Sequence, residues 1–243
     1  MTHSKAQCGR MVGVGARPET VTVICPTHLP YFKSIPFSPQ DSIGFKVKQW
    51  AADIGADNTL LAVLPTVSID RTMVARLCHN RKHDVLVGYL AAMAWGSQRR
   101  SHGRSAWAHR DAIKKLLDVM RSGMIDPVDA YESFAKQQIP GLGPAYFTKL
   151  IYFFSEHKSW FIMDQWTAKS INLLFDRNMV LISRCGWVTR DNTASHYKAY
   201  CHAVAQLGSE LGETGEIIEQ RLFSKGGKAP APWRAYVKRH WRL

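Results

Sequence analysis

Apolar residues recur at helical spacing along most of the chain. The first clear series predicts a helix over residues 43–54, with an apolar face formed by Ile43, Val47, Trp50, Ala51 and Ile54. Ser68 is suitably placed to cap a helix over residues 69–78, and Asp84 can cap one over residues 85–95. The segment 85–95 is apolar nearly all round, which predicts a helix buried at the centre of the fold.

Helical patterns continue through the second half of the chain. Ser105 is expected to begin a long helix that ends near Gly123, with an apolar face formed by Ala112, Leu116, Val119 and Met120. The pair Asp126-Pro127 combines an N-cap with proline in the first turn, which indicates another helix start. Two further helices are expected over residues 193–211 and 216–223. The pattern indicates a mostly α protein of about nine or ten helices.

Three stretches lack a helical pattern. Residues 1–20 are polar and carry no period, so we expect a loosely held tail. Residues 21–24 are compatible with a short strand, and residues 179–188 with either a short strand or an irregular connection. No linker or internal repeat interrupts the remainder, which predicts a single domain over residues 21–243.

Composition and charge are those of a globular protein that suits a polyanionic partner. The chain has 243 residues, of which 46% are hydrophobic and 21% charged, an ordinary balance for a soluble domain. Its 32 Lys and Arg residues exceed the 19 Asp and Glu residues, which gives a net charge of +13 and favours nucleic acid as the partner. Many basic proteins have no such partner, so charge alone leaves the question open.

No stretch predicts a membrane span or a secretory signal. The longest apolar run, residues 85–95, is too short to cross a bilayer, and the first basic residues are not followed by an apolar region. We therefore expect no membrane partner and a cytoplasmic protein, associated with the nucleoid if the source is bacterial.

The cysteines and histidines predict no metal site. The five cysteines never lie closer than sixteen residues apart and form no CxxC pair, which argues against a zinc ribbon or a disulfide framework. His79 and His83 are spaced to share a helix face, but the sequence offers them no third ligand.

A glycine turn followed by an isolated carboxylate is the most informative pattern in the chain. Gly141-Leu142-Gly143 predicts a tight turn, and Pro144 opens a helix at a position where its missing N–H costs nothing. The free amides of that first turn can bind an anion such as a phosphate. Asp164 then stands alone at the start of the next predicted helix.

This pattern resembles the helix-hairpin-helix DNA glycosylase superfamily. The signature of that superfamily is an apolar residue, Pro, Gly, an apolar residue and Gly, followed by a helix and an apolar-apolar-Asp element. The corresponding segments here are residues 139–143 and 162–164. The resemblance is specific over residues 139–175 and points to the compact oxoguanine branch. It implies a mostly α fold in which two helical lobes flank a cleft, with the hairpin and the Asp at its mouth.

The resemblance implies a DNA glycosylase that acts as a monomer on double-stranded DNA with a flipped base. Such an enzyme cleaves the N-glycosidic bond of a damaged or modified base, by default 8-oxoguanine. A carboxylate beside the sugar stabilises the positive charge that develops as the bond breaks, and Asp164 matches that position. At a helix start the same side chain can also serve as an N-cap.

A lysine nucleophile is the second expected catalytic group. Relatives that also cut the strand use a lysine two residues after the second hairpin glycine, where this chain has Ala145. Lys149 lies one helical turn further on, in an apolar run that would lower the pKa of its amine. Two interpretations stay open. Lys149 forms a Schiff base and adds AP-lyase activity, or it lies on a solvent-facing stripe and Asp164 activates water.

The remaining expectations concern contacts with DNA. In the family the hairpin, here residues 141–143, binds phosphates through its amides and holds a monovalent cation on its carbonyls; no other cofactor is implied. A basic segment with Arg99, Arg100 and Arg104 is interpreted as a loop that contacts phosphates, although a solvated surface has the same pattern.

A flipped base needs aromatic or apolar surfaces around it. Trp166, two residues past Asp164, and Trp95, at the end of the apolar helix, are the candidates for the base pocket. Aromatic residues at helical spacing more often belong to the core, so both interpretations remain open.

Two alternatives to an oxoguanine enzyme also remain. The substrate could be a bulky hypermodified base in phage DNA, which would make the protein an antiviral defence enzyme. Alternatively, the protein binds DNA without catalysis and Asp164 is only a helix cap. Release of free base from a lesion-bearing duplex distinguishes these classes.

Overall fold

The computed structural model describes residues 23–39, 44–156 and 159–241. Within these ranges it contains thirteen α-helices and no β-strand, with one antiparallel bridge between Ile182 and Val188. The helices are α1 (Leu29–Ser34), α2 (Val47–Asp53), α3 (Asn58–Val63), α4 (Arg71–His79), α5 (Val85–Trp95), α6 (Arg100–Trp107), α7 (Arg110–Arg121), α8 (Pro127–Gln137), α9 (Pro144–Phe154), α10 (Gln165–Leu174), α11 (Ala194–Leu211), α12 (Gly215–Phe223) and α13 (Pro232–His240). None of them has the length together with the apolar composition that a membrane span requires.

The first lobe is built around α5, in which all eleven residues are buried. Asp84 caps this helix, as its position in the sequence predicts, by accepting a hydrogen bond from the backbone N–H of Leu86 at 2.9 Å. An apolar helix of this kind needs neighbours on every side. Helices α2, α3, α4, α7 and α9 pack against α5 and enclose it.

The second lobe contains the C-terminal helices and α1. Helices α10 to α13 pack against one another, and Phe32 of α1 meets Trp233 of α13 edge-on, with ring centroids 4.7 Å apart. The pair α8 and α9 joins the lobes, because α9 packs on α4 and α5 whereas α8 contacts α11. The mostly α, two-lobed fold expected from the sequence is confirmed.

The prediction of one long helix over residues 105–123 is wrong, because the chain forms two helices, α6 and α7, in this region. His109 lies between them with a non-helical backbone (φ −107°, ψ 22°). Trp107 anchors the end of α6, because its indole N–H donates to the carbonyl of Gly55 at 3.0 Å. The buried face of α7 is formed by Ile113, Leu117 and Met120, and only Met120 belongs to the predicted face.

The N-terminal boundaries also differ from the sequence pattern. Helix α2 begins later than predicted, since Gly44 adopts φ +91° and residues 40–43 lie outside the described ranges. Asp70, and not Ser68, caps α4, because its carboxylate accepts a backbone N–H of the first turn at 2.7 Å. The Ser68 hydroxyl instead donates to the carbonyl of Gly44 at 3.4 Å.

The remaining structural expectations concern the stretches without a helical pattern. The tail expected over residues 1–20 lies outside the described residues. Of the possible strand over residues 21–24, only residues 23–24 are described, and they form no strand. The segment 179–188 is irregular apart from its single bridge. We therefore adopt the irregular alternative for this connection.

Two asparagines hold that irregular connection in place. The side-chain amide of Asn172 in α10 exchanges two hydrogen bonds with the backbone of Val180, at 2.8 and 2.9 Å. Asn192 does the same with Leu181, with both bonds at 2.8 Å. The connection between α10 and α11 thus has a defined path, although it contains no regular secondary structure.

Candidate active site

The helix-hairpin-helix consists of α8, a turn and α9. Helix α8 ends at Gln137, and the left-handed backbone of its C-cap Gln138 (φ 46°) redirects the chain. Helix α9 begins at Pro144 after the N-cap Gly143. Gly141 has φ +75°, and a β-carbon there would lie 2.2 Å from the backbone oxygen of His102. Glycine is therefore required at 141 because the hairpin packs closely on the backbone of α6.

Gly143 differs from Gly141 both in its backbone conformation and in the space around its α-carbon. Its backbone is extended (φ −84°, ψ 179°), and nothing lies within 4 Å of the position that a β-carbon would take. No side chain caps the first turn of α9. Pro144 has no N–H, and the N–H of Tyr146 donates to the carbonyl of Gly143 at 2.9 Å, so the groups available to an anion are the N–H groups of Gly143 and Ala145. Leu142 is 1% exposed, so its side chain belongs to the core, and its backbone N–H donates to the carbonyl of Ile139 at 3.2 Å.

A cavity of about 690 Å³ lies beside the hairpin, with walls from both lobes. It brings together most of the residues predicted for the site, namely Asp164, Lys149, Trp95, Trp166, Arg99, Gly141 and Gly143. Leu142, Arg100 and Arg104 do not line it. A cavity of this size with a few polar groups is typical of a site for a small ligand.

Asp164 lies on the cavity wall at the N-terminus of α10. Its Oδ1 accepts hydrogen bonds from the backbone N–H groups of Trp166 at 2.7 Å and Thr167 at 3.1 Å. The N–H of Asp164 in turn donates to the hydroxyl of Thr167 at 3.0 Å, which completes a capping box. Both capping bonds use Oδ1, and no described residue donates to Oδ2. The cap therefore orients the carboxylate without using its second oxygen.

A hydrogen bond between the residues that precede Lys149 and Asp164 in the chain fixes the position of Asp164 relative to Lys149. The hydroxyl of Thr148, which precedes Lys149, accepts the N–H of Met163, which precedes Asp164, at 3.1 Å. The same hydroxyl donates to the carbonyl of Pro144 at 2.7 Å. The segment that leads into α10 is thereby held against the first turns of α9.

Lys149 is buried, with 6% of its surface exposed, and its amine donates a 2.6 Å hydrogen bond to the carbonyl of Ala145. Its stem passes Gly96 at the end of α5, where a β-carbon would lie 2.8 Å from Lys149 Cδ. Lys149 therefore does not lie on a solvent-facing stripe of α9, and that interpretation of the sequence is wrong.

Burial lowers the pKa of the Lys149 amine, and it outweighs the opposing attraction of the Asp164 and Glu219 carboxylates. The guanidinium of Arg71 acts in the same direction as burial. A larger fraction of this amine is therefore neutral than of a lysine in water. The neutral form is the one that can attack an electrophile.

A buried ion pair also lines the cavity, and no sequence pattern pointed to it. Arg71 Nη1 of α4 lies 2.6 Å from Glu219 Oε2 of α12, so the pair joins the two lobes. The guanidinium carbon lies 5.3 Å from the ring centroid of Trp95 and 4.8 Å from that of Tyr152. Burial raises the pKa of the Glu219 carboxyl despite the adjacent Arg71. Buried ion pairs add little net stability. Stability alone therefore does not account for an ion pair in the cavity wall.

The two predicted pocket tryptophans lie on the wall in different surroundings. Trp95 is 3% exposed and meets Phe153 edge-on, with ring centroids 5.1 Å apart. Trp166 is half-buried, and the cationic groups of Arg234 and Lys169 lie 4.0 and 4.6 Å from its ring centroid. Arg234 comes from α13, lines the cavity and was not expected from the sequence.

The basic segment that the sequence predicts as a loop is helical, and two of its arginines bond within the protein. Arg100 of α6 forms an ion pair with Asp53, with Nε 2.5 Å from Oδ2. Arg104 donates to the carbonyl of Asp53 at 3.0 Å. Arg99 is the N-cap residue of α6 and lines the cavity, so it is the best placed of the three to meet a phosphate.

The hairpin carbonyls, where the resemblance implies a monovalent cation, already accept bonds from side chains. Arg190 Nη2 donates to the carbonyls of Ile139 at 2.7 Å and Leu142 at 3.4 Å, and Gln98 Nε2 donates to that of Gly141 at 2.9 Å. A metal ion on the same oxygens would be repelled by the guanidinium, so the arrangement does not fit it. Among the described residues, no three His, Cys, Asp or Glu side chains are grouped to hold a metal.

Trp187 lies at the rim of the cavity with 52% of its surface exposed. It follows Gly186, which adopts φ +82°, in a tight turn where the N–H of Ser183 donates to the Trp187 carbonyl at 2.8 Å. An exposed indole beside a cavity offers a surface on which a planar ligand can stack. Nothing in the sequence spacing around Trp187 distinguishes it as a site residue.

Replacing Lys149 by Met should raise the free energy of unfolding near neutral pH, because the folded chain holds this amine at a lowered pKa. Between the lowered pKa and the ordinary lysine value of 10.5, unfolding takes up protons, so the gain should shrink as the pH rises through this range. Urea unfolding at several pH values measures the difference, with the exposed Lys198→Met variant as the control. A gain that is independent of pH would contradict the lowered pKa.

Comparison with known families adds an independent finding. A family model described as "Putative 8-oxoguanine DNA glycosylase OGG-like protein" matches residues 38–223, which include the hairpin and both Lys149 and Asp164. Comparisons with curated proteins and with solved structures gave no match. Because the matched region covers most of the chain, the protein belongs to this OGG-like family.

Proposed function

We propose that the protein excises an oxidised purine, by default 8-oxoguanine, from double-stranded DNA. The observation that carries this proposal is that a buried amine and a capped carboxylate, Lys149 and Asp164, line one cavity beside a helix-hairpin-helix. Family membership supports the class of enzyme.

The hairpin would bring DNA to the cavity. The N–H groups of Gly143 and Ala145 at the start of α9, together with Arg99, would bind phosphates near the target nucleotide. The target base must leave the stack to reach the cavity. Trp166 and Trp95 would face the flipped base, and Trp187 at the rim could stack on the bases left in the duplex.

Asp164 would stabilise the sugar as the base departs. Breaking an N-glycosidic bond leaves positive charge on the sugar ring. The capping box already holds the carboxylate in one orientation, so little reorganisation is needed when that charge develops. The N-cap and the proposed catalytic role are therefore compatible, because the cap uses Oδ1 and leaves Oδ2 without a bond to the described residues.

Lys149 would supply the nucleophile. A neutral amine that donates one N–H to the Ala145 carbonyl keeps its lone pair for the sugar carbon. Attack forms a bond from Nζ to C1′, and the base leaves with the electrons of the glycosidic bond and takes up a proton. Opening of the sugar ring then gives a Schiff base, from which the strand can be cut. The lowered pKa of Lys149 favours the neutral amine that this step needs.

The Arg71–Glu219 pair would present both hydrogen-bond donors and a hydrogen-bond acceptor to the flipped base. A guanidinium donates to a carbonyl oxygen and a carboxylate accepts from an N–H, and an oxidised purine offers both. A bulky modified base, such as one in phage DNA, is the competing substrate. A panel of duplexes with oxidised, alkylated and bulky modified bases identifies the substrate by the free base that is released.

Gly143→Ala should weaken binding to duplex DNA by about tenfold without lowering protein stability, because the added methyl group enters the space proposed for a phosphate. Gly141→Ala should instead reduce the free energy of unfolding by about 1–3 kcal/mol or more, because φ is positive and His102 is in the way. DNA titration and thermal unfolding separate the two effects. Wild-type affinity in Gly143→Ala would exclude a phosphate at this position.

Asp164→Asn should reduce base release at least about 100-fold, because the amide can keep the cap but loses the charge that stabilises the sugar cation. Duplex binding should stay near the wild-type value. The measurement is release of free base from the substrate identified by the panel. Undiminished release would return Asp164 to a purely structural role.

Borohydride should trap the wild-type protein covalently on substrate DNA by reducing the Schiff base, and Lys149→Gln should lose both trapping and excision. The exposed Lys198→Gln variant is the control and should behave as wild type. Excision that produces no adduct and survives Lys149→Gln would show instead that Asp164 activates water and leaves an intact abasic strand.

A further inference from the structure

Arg190 places a permanent positive charge against the carbonyl side of the hairpin turn. Its Nη2 donates to the carbonyls of both Ile139 and Leu142, at 2.7 and 3.4 Å. The Ile139 carbonyl also accepts the N–H of Leu142 at 3.2 Å, so both of its lone pairs are engaged. Two carbonyls of one turn thus converge on a single guanidinium nitrogen.

The backbone around Arg190 is tied to the helix-hairpin-helix itself. Asn192, two residues further on, bonds to Leu181 and also donates to the carbonyl of Thr189 at 3.0 Å. The hydroxyl of Tyr131 in α8 donates to the carbonyl of Asn192 at 3.0 Å. Asn192 is 2% exposed, so this anchor is a buried one. The position of Arg190 is therefore set by the same helix that leads into the hairpin.

The guanidinium also has donors that the hairpin does not use. Both hairpin bonds come from Nη2, and no described residue accepts a hydrogen bond from Nε or Nη1 of Arg190. The side chain is exposed and lines the cavity beside Gly143. Because a guanidinium carries five N–H donors in a planar fork, it can bond the carbonyls on one edge and a phosphate on another.

We propose that Arg190 takes the place of a monovalent cation at the hairpin and binds the same DNA phosphate as the N–H groups of Gly143 and Ala145 at the start of α9. A guanidinium is charged throughout the physiological pH range and is more weakly hydrated than an ammonium. The inference rests on the DNA interface of the proposed function. It does not depend on which base is excised or on whether Lys149 is the nucleophile.

The first test compares DNA binding by the wild-type protein in potassium, sodium and tetramethylammonium chloride at equal ionic strength. The probe is a duplex with a stable abasic-site analogue, which requires no chemistry. Tetramethylammonium screens charge but is too bulky to sit on a turn of carbonyl oxygens. Affinity should be the same in the three salts, and a selective loss in tetramethylammonium would overturn the proposal.

The second test removes the guanidinium. Arg190→Gln should weaken binding by roughly tenfold or more and should make it depend on potassium, because the freed carbonyls can then hold a metal ion. Arg76→Gln, on the exposed surface of α4, removes the same charge elsewhere and should change affinity little. Wild-type affinity of Arg190→Gln in all three salts would overturn the proposal.

Two further experiments distinguish a folding defect from a binding defect and the role of Arg190 from the proposed excision. If Arg190→Gln fails to fold, Arg190→Lys keeps the charge with fewer donors, and we expect weaker binding without dependence on potassium. Potassium-dependent binding by Arg190→Lys would overturn the proposal. A protein that binds the abasic analogue as described but releases no base from any duplex would contradict the proposed excision and leave the role of Arg190 intact.

Discussion

The complete burial of α5 imposes the arrangement of the first lobe and, through it, of the cavity. A helix that is apolar all round has no side to turn to water, so other helices must enclose it, and α9 is one of them. At the end of α5, Gly96 leaves the space through which the stem of Lys149 passes. The helix packing that buries α5 thus also excludes water from the amine of Lys149.

Removal of water governs the electrostatics of the site. In a medium of low dielectric constant, the charged groups of Lys149, Arg71, Asp164 and Glu219 influence one another more strongly than they would at the surface. Burial moves the pKa values of the Lys149 amine and the Glu219 carboxyl in opposite directions, and both changes favour the uncharged form. The reactivity proposed for the lysine is therefore a property of the whole cavity and not of its immediate sequence.

The sequence predicted those features whose physical cause is local. A helix cap needs only a carboxylate and the next few amides, so Asp84 and Asp164 could be placed correctly, and the hairpin follows from its own glycines. Pairing between Arg71 and Glu219 depends on two helices far apart in the chain and leaves no periodic signal. The end of α6 was missed for the same reason, since Trp107 is anchored by a distant carbonyl.

The wall of the cavity includes a segment beyond the matched residues 38–223. Gly226 and Arg234 line it, and the guanidinium of Arg234 lies 4.0 Å from the ring centroid of Trp166. The matched region thus contains the hairpin, the amine and the carboxylate, but not the full enclosure around them. Under the proposed function, the groups that would carry out the chemistry thus lie inside the region that the family shares, and part of the wall that would select the base lies outside it.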